Sequence, residues 1–241
     1  MRILPDMDAL TPIPLSHLLV AFVPSALLLV VMHRWKLGSR TALYANARML
    51  AQLLAVGYVL TYVFETEHPA VIVAVIAVMV GVSAWIALRP LGRAGLDLYA
   101  RTLAAIAGSG LTMLAIVTQL VLDLPRWFEP SFVIPLGGMI FANTMNTVSL
   151  AAERFESERR RDAELADARR IALDAALIPQ INALLAVGLV SLPGMMTGQI
   201  LSGIEPMVAV RYQIMVMCMV FGAGGFGAVA YLTLAARDAR R

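Results

Sequence analysis

Neutral hydrogen-bonding side chains set inside apolar runs are the chemistry-bearing residues of this 241-residue chain. The run PLGGMIFANTMNTVSL carries Asn143, Thr144, Asn146 and Thr147; LIPQIN carries Gln180 and Asn182; SLPGMMTGQ carries Ser191, Thr197 and Gln199. Amides and hydroxyls are costly to leave in hydrocarbon, so they must face protein or water. Two roles fit them: hydrogen bonds that tie helices together, and the lining of a polar permeation pathway. The pathway candidates are Asn143, Asn146, Gln180, Asn182, Ser191, Pro193, Gly194, Thr197 and Gln199. Pro193 and Gly194 belong among them because proline lacks an N–H and glycine tolerates unusual torsions, which should interrupt the helix there. Interrupted helices at membrane depth persist only against protein or a cavity.

Other chemistries have no seat. Lys36 is the only lysine, and it stands in HRWKLG, so the chain holds no Gly-x-x-x-x-Gly-Lys-Ser/Thr phosphate loop. Any ATP consumed must be bound by a separate subunit. His17, His33 and His68 are scattered over three segments without a His-Glu-x-x-His pair, which argues against a zinc hydrolase. Ser109 lies in AGSG without an evident base, and Cys218 is the single cysteine. Met215, Met217 and Met219 alternate, so they cannot share one helix face as thioether ligands. The expectation is a chain that is not an enzyme and carries no cofactor of its own, with any metal site unknown.

The elements that position these residues follow from composition. Sixty per cent of the residues are hydrophobic and 15% charged, and the apolar runs have the length of about 20 residues that a helix needs to cross a bilayer. The expected fold is all-α: a single transmembrane domain over residues 1–241 with about seven spans. These run near 13–32, 47–64, 71–88, 102–122, 132–152, 175–196 and 208–236. The first ten residues lack a positive n-region, so no cleavable signal peptide is expected. Sixteen of the 19 basic residues fall on one side of this arrangement; only Arg2, Arg126 and Arg211 fall on the other, beside Asp6, Asp8, Glu65, Glu67, Asp123, Glu129 and Glu205. By the positive-inside rule the N-terminus lies outside and the C-terminus in the cytoplasm. The same bias accounts for the net charge of +3 without nucleic acid. Trp35, Tyr44, Trp85, Tyr99 and Trp127 lie at span ends, where aromatic rings settle at headgroups.

The one sizeable polar stretch, Glu153–Asp174, has neither glycine nor proline and offers the pairs Glu156/Arg160, Glu158/Arg161 and Asp167/Arg170. It reads as a cytoplasmic helical arm that continues the fifth span outward or returns into the sixth. Small-residue pairs at Gly194/Gly198 and along Ala223–Ala228 predict close helix packing, within one subunit or between two.

The stretch AALIPQINALLAVGLVSLPGMMTGQILSGIEPMVAVRYQIMVM, with PLGGMIFANTMNTVSLAAERF before it, resembles the Fet-type permease family of half-size ABC exporters linked to iron efflux, whose plant relatives are linked to aluminium tolerance. The resemblance covers about a quarter of the chain. It implies a homodimeric permease in the inner (cytoplasmic) membrane, exporting a metal ion such as iron or a small solute, driven by a cytoplasmic ATP-binding partner. This chain departs from the family where a longer insertion with a helix–turn–helix docks the ATPase. Here only Glu153–Asp174 is available, so docking is expected on a straight arm around residues 163–173, with Leu165, Arg169, Ile171 and Leu173 as candidates. Two other function classes stay open: a non-transporting membrane scaffold, and an ATP-independent channel or carrier. The scarcity of charge within the spans counts against an ion-coupled carrier.

Overall fold

In the computed structural model, residues 13–65, 68–92 and 95–238 are described. Arg2, Asp6, Asp8, Glu67, Arg93, Arg240 and Arg241, which enter the orientation argument, lie outside them. The chain divides into two units, the first ending at Tyr62 and the second beginning at Val63.

In the first unit, helix α1 (Leu15–Arg34) follows Pro14, and α2 (Ser39–Glu65) opens after a short turn in which Lys36 adopts φ +56°. Both helices carry apolar side chains around most of their circumference, as lipid-facing helices do. One polar clasp joins them: the Ser25 hydroxyl donates to Asn46 Oδ1 at 3.0 Å, and Asn46 Nδ2 donates to the Ala42 carbonyl at 2.9 Å.

The second unit is built around one long helix. Helix α3 (Pro69–Ala87) starts with proline at its first turn, where the missing N–H costs nothing. A single 3₁₀ turn, Arg89–Leu91, closes on Gly92 at φ +61°. Helix α4 (Leu96–Ala115) runs on into a π turn, Ile116–Val121. It is tied to α3 where the Tyr99 hydroxyl donates to the Gly81 carbonyl at 3.2 Å. Helix α5 (Pro130–Arg159) packs against α3, α4, α6 and α8, and its Ile140, Phe141, Val148, Ala151 and Ala152 form the centre of the core. Helix α6 (Leu165–Ala186), the short α7 (Gly194–Leu201) and α8 (Pro206–Asp238) complete the unit. The approach of α4 and α5 depends on glycine: a Cβ on Gly110 would stand 2.6 Å from the Phe141 ring.

Two expectations are corrected. Among the described residues six helices, against about seven expected, are long and apolar enough to span a membrane: α1, α2, α3, α4 with its π turn, α5 and α8. The expected sixth span, 175–196, is split. Helix α6 ends at Ala186, and the backbone turns through residues 187–193, with Leu189, Val190 and Ser191 N–H groups returning to the Ala186 carbonyl and Gly188 at φ +82°. The break therefore begins six residues ahead of Pro193, which caps α7. Charges at Asp167, Arg169, Arg170 and Asp174 leave too short an apolar remainder in α6 for a full span.

The polar arm is likewise not straight. Helix α5 continues to Arg159, the chain turns with Asp162 at φ +59°, and α6 starts at Leu165. Aspartate is among the few residues that visit the left-handed region with ease, so the turn needs no glycine. Both the Arg161 and Ala163 N–H groups donate to the Glu158 carbonyl, at 3.0 and 3.2 Å.

Candidate polar site

Where α5, α6 and α8 meet, three of the neutral polar side chains join into one network. Thr147 Oγ1 donates to the Asn143 carbonyl one turn back, at 2.9 Å. Its hydrogen is thereby committed, so the Gln180 atom that faces it at 2.9 Å must be a donor, which fixes that atom as Nε2. Gln180 Nε2 also donates to Asn143 Oδ1. The consequence is a defined polarity: Gln180 Oε1 and Asn143 Nδ2 are left as the free acceptor and donor of the pair.

These groups border a cavity of about 290 Å³ lined by Asn143, Asn146, Thr147 and Gln180 on one side and Met217 and Phe221 on the other. None of its lining residues is titratable. Among the described residues no group of three or more His, Cys, Asp or Glu side chains could hold a metal ion. The wall behind the cavity is set by backbone proximity: a Cβ on Gly224 would lie 2.8 Å from Thr147 Oγ1 and 3.4 Å from Gln180 Nε2. A neighbouring Cβ on Gly227 would lie 2.5 Å from Thr144 Cγ2. Thr144 is fully buried, and its hydroxyl has no hydrogen-bond partner.

The other pathway candidates are dispersed. Asn182 is exposed on α6, and Ser191 is exposed in the turn beyond it. Pro193 and Gly194 start α7, Thr197 bonds back to the Pro193 carbonyl at 3.1 Å, and Gln199 is half-buried with Oε1 unpartnered. Gly194 and Gly198 have nothing within 4 Å of an added Cβ, so the close packing expected there is absent from the described chain, while Gly224 and Gly227 have it. Sequence reasoning passed over Gln213, buried on α8 with Oε1 unpartnered. An amide inside an apolar run was the available signal.

At the far end of α5, Glu158 is buried and ion-paired with Arg154 at 2.7 Å within the helix, and more loosely with Arg161 at 3.7 Å in the turn that follows. Of the docking candidates, Leu165, Arg169 and Leu173 project within one quadrant of α6, while Ile171 points roughly 160° from Leu173. All four are half-buried. Ala168, Ala172 and Ala176 form the face that packs into the core.

Six membrane-length helices among the described residues, with an uncharged, partly open cavity bordered by neutral polar side chains, define an integral membrane protein. The chain belongs to the uncharacterised protein family UPF0014, which it matches over residues 15–169 and 159–239. It is 36% identical over 193 residues to the UPF0014 membrane protein slr1647 of Synechocystis, covering 74% of each chain. It is 30% identical over 236 residues to the probable iron export permease protein FetB of Escherichia coli, covering 90% of each. To the protein ALUMINUM SENSITIVE 3 of Arabidopsis thaliana it is 30% identical over 197 residues, covering 75% of this chain and 70% of the relative. The family expected from the two polar segments is thus the family found, and its relatives include proteins named as membrane proteins and a permease, in keeping with an integral membrane protein. No solved structure matches the chain.

Proposed function

We propose that the chain is the membrane-spanning subunit of an ABC-type exporter, moving a metal ion such as iron, or a small solute, out of the cytoplasm with a separate ATP-binding subunit. The observation that carries this reading is the Asn143–Gln180–Thr147 network bordering a partly open cavity, in a chain similar over nine tenths of its length to a probable iron export permease. Cargo would pass Asn146, Asn143 and Gln180 and leave by the broken segment, where Ser191, Pro193, Gly194, Thr197 and Gln199 stand. Taken as one interrupted crossing, α6 with α7 restores an odd number of spans, and the charge bias then sets the N-terminus outside and the C-terminus in the cytoplasm.

The ATP-binding partner would dock on the elbow between α5 and α6. Its turn joins the two helices that carry the polar network, so a push there would move both walls. Such coupling requires different contacts in two states, not proximity alone. Leu165 and Ile171 are the apolar side chains offered beside the elbow. Two copies of the chain would form the permease. The uncharged cavity argues against a proton-coupled carrier, which needs a titratable group on its path.

The test is co-purification with a candidate ATP-binding protein encoded by a neighbouring gene. Retention on the full chain and stimulated ATP hydrolysis in liposomes are expected. A neighbour that neither binds nor hydrolyses ATP in response would favour a scaffold.

A further inference from the structure

A second cavity lies between the first turns of α6 and the last turns of α8, about 380 Å³ in volume and lined by Ala166, Arg169, Arg170, Leu173, Val229 and Leu232. We propose that this groove binds an anionic phospholipid, its phosphate on Arg169 and Arg170 and its acyl chain on Leu173, Val229 and Leu232. The argument is one of complementary needs. Arg169 is half-buried and, among the described residues, has no ion pair or hydrogen-bond partner. Arg170 has only a loose contact with Asp167, at 3.7 Å between two exposed side chains. No carboxylate lines the groove. Arg169 therefore lacks an anion and Arg170 holds one only loosely, while the opposite wall leaves Val229 41% exposed.

A free phosphate would satisfy the arginines and leave the apolar wall wet. A neutral lipid would cover the wall and leave Arg169 unpaired. An anionic lipid meets both needs, and basic pockets between membrane helices are built for such headgroups.

The depth agrees. At 1.5 Å per residue, Leu232 and Val229 lie roughly 9 and 13 Å along α8 from its end at Asp238. The groove therefore starts at the arginine-rich end of the bundle and reaches down to acyl depth. Positions 166, 169, 170 and 173 recur at the i, i+3, i+4, i+7 spacing of one helix face, and 229 and 232 at i, i+3. This assignment stands apart from the transport reading, because it concerns a different cavity and needs no cargo.

The experiment uses the full chain in detergent, equilibrated with equimolar dioleoyl-phosphatidylglycerol and dioleoyl-phosphatidylcholine, with retained lipid read by native mass spectrometry. Wild type should retain phosphatidylglycerol preferentially, by about fivefold for each arginine engaged. Arg169→Gln with Arg170→Gln should bring the ratio towards one. Val229→Trp, which fills the groove without altering charge, should do the same, and it serves as the readout if the double variant fails to fold. Inorganic phosphate at 10 mM should leave the retained lipid in place. The proposal is overturned by equal retention of the two lipids in wild type, by an unchanged ratio in the variants, or by displacement with inorganic phosphate. Loss of the ATP-binding partner in the arginine variant with the lipid ratio unchanged would equally overturn it, and would assign the groove to an acidic protein segment.

Discussion

Gly227→Ala adds one methyl group at the crossing of α8 over α5, and the geometry leaves no room for it. The new Cβ would stand 2.5 Å from Thr144 Cγ2, 2.9 Å from Ser109 Oγ and 3.5 Å from Val148 Cγ2. Non-bonded carbon atoms sit about 3.5–4.0 Å apart at their optimum. Thr144 and Val148 are fully buried, and Ser109 Oγ is held by its bond to the Ala105 carbonyl at 2.9 Å, so none of the three can swing aside. Overpacking of this kind costs about 1–3 kcal/mol, against which alanine's better helix propensity returns at most roughly 1 kcal/mol. The net expectation is a destabilised bundle. Gly198→Ala on α7 is the control: nothing lies within 4 Å of its Cβ, so only the propensity gain remains and the variant should be as stable as wild type or slightly more so. Unfolding of the two purified variants, followed by denaturant or heat in one detergent, reads the opposite signs directly. A Gly227→Ala protein as stable as wild type would refute the reasoning that small residues set the helix spacing here.

Three other outcomes follow from the same geometry. Asp162→Gly should leave the elbow intact, whereas Asp162→Val should destabilise it by about 1–2 kcal/mol, because a branched side chain resists the left-handed region; parallel unfolding curves decide. Leu165→Asp with Ile171→Asp should abolish co-purification of the ATP-binding partner while the chain still inserts, and wild-type retention of the partner would remove the elbow as the docking site. A reporter fused after Arg241 should be active only in the cytoplasm; activity confined to the periplasm would invert the proposed topology.

How much of this was legible before the structure varies with the kind of signal. The apolar runs at 13–32, 47–64, 71–88, 102–122, 132–152 and 208–236 are one-dimensional signals, and each became a helix. The run at 175–196 was expected to be interrupted at Pro193–Gly194, yet the break starts earlier, at Val187, held by backbone bonds to Ala186, and the local signal for that earlier start was Gly188. The elbow was hidden for a similar reason. Asp162 carries the left-handed turn, and an aspartate in a charged run reads as one more helical surface residue. Asn143 and Gln180 stood out as amides among apolar neighbours, but their pairing depends on the register of α5 against α6, which no spacing within either helix contains. Arg169 and Leu173 were chosen as neighbours along one helix. That their partner wall is Val229 and Leu232 on α8 is a tertiary fact.

The most direct test of the central claim is iron accumulation by inverted membrane vesicles that contain this chain and its ATP-binding partner, with and without ATP, in wild type and Gln180→Leu. Gln180 bridges Asn143 and Thr147 at the cavity wall, so its loss should remove the free acceptor on the path while the partner stays bound. The account predicts ATP-dependent uptake in wild type and a loss of roughly tenfold or more in a folded Gln180→Leu, on the order of 1.4 kcal/mol or more. Uptake that persists without ATP, or that is unchanged in Gln180→Leu, would contradict it.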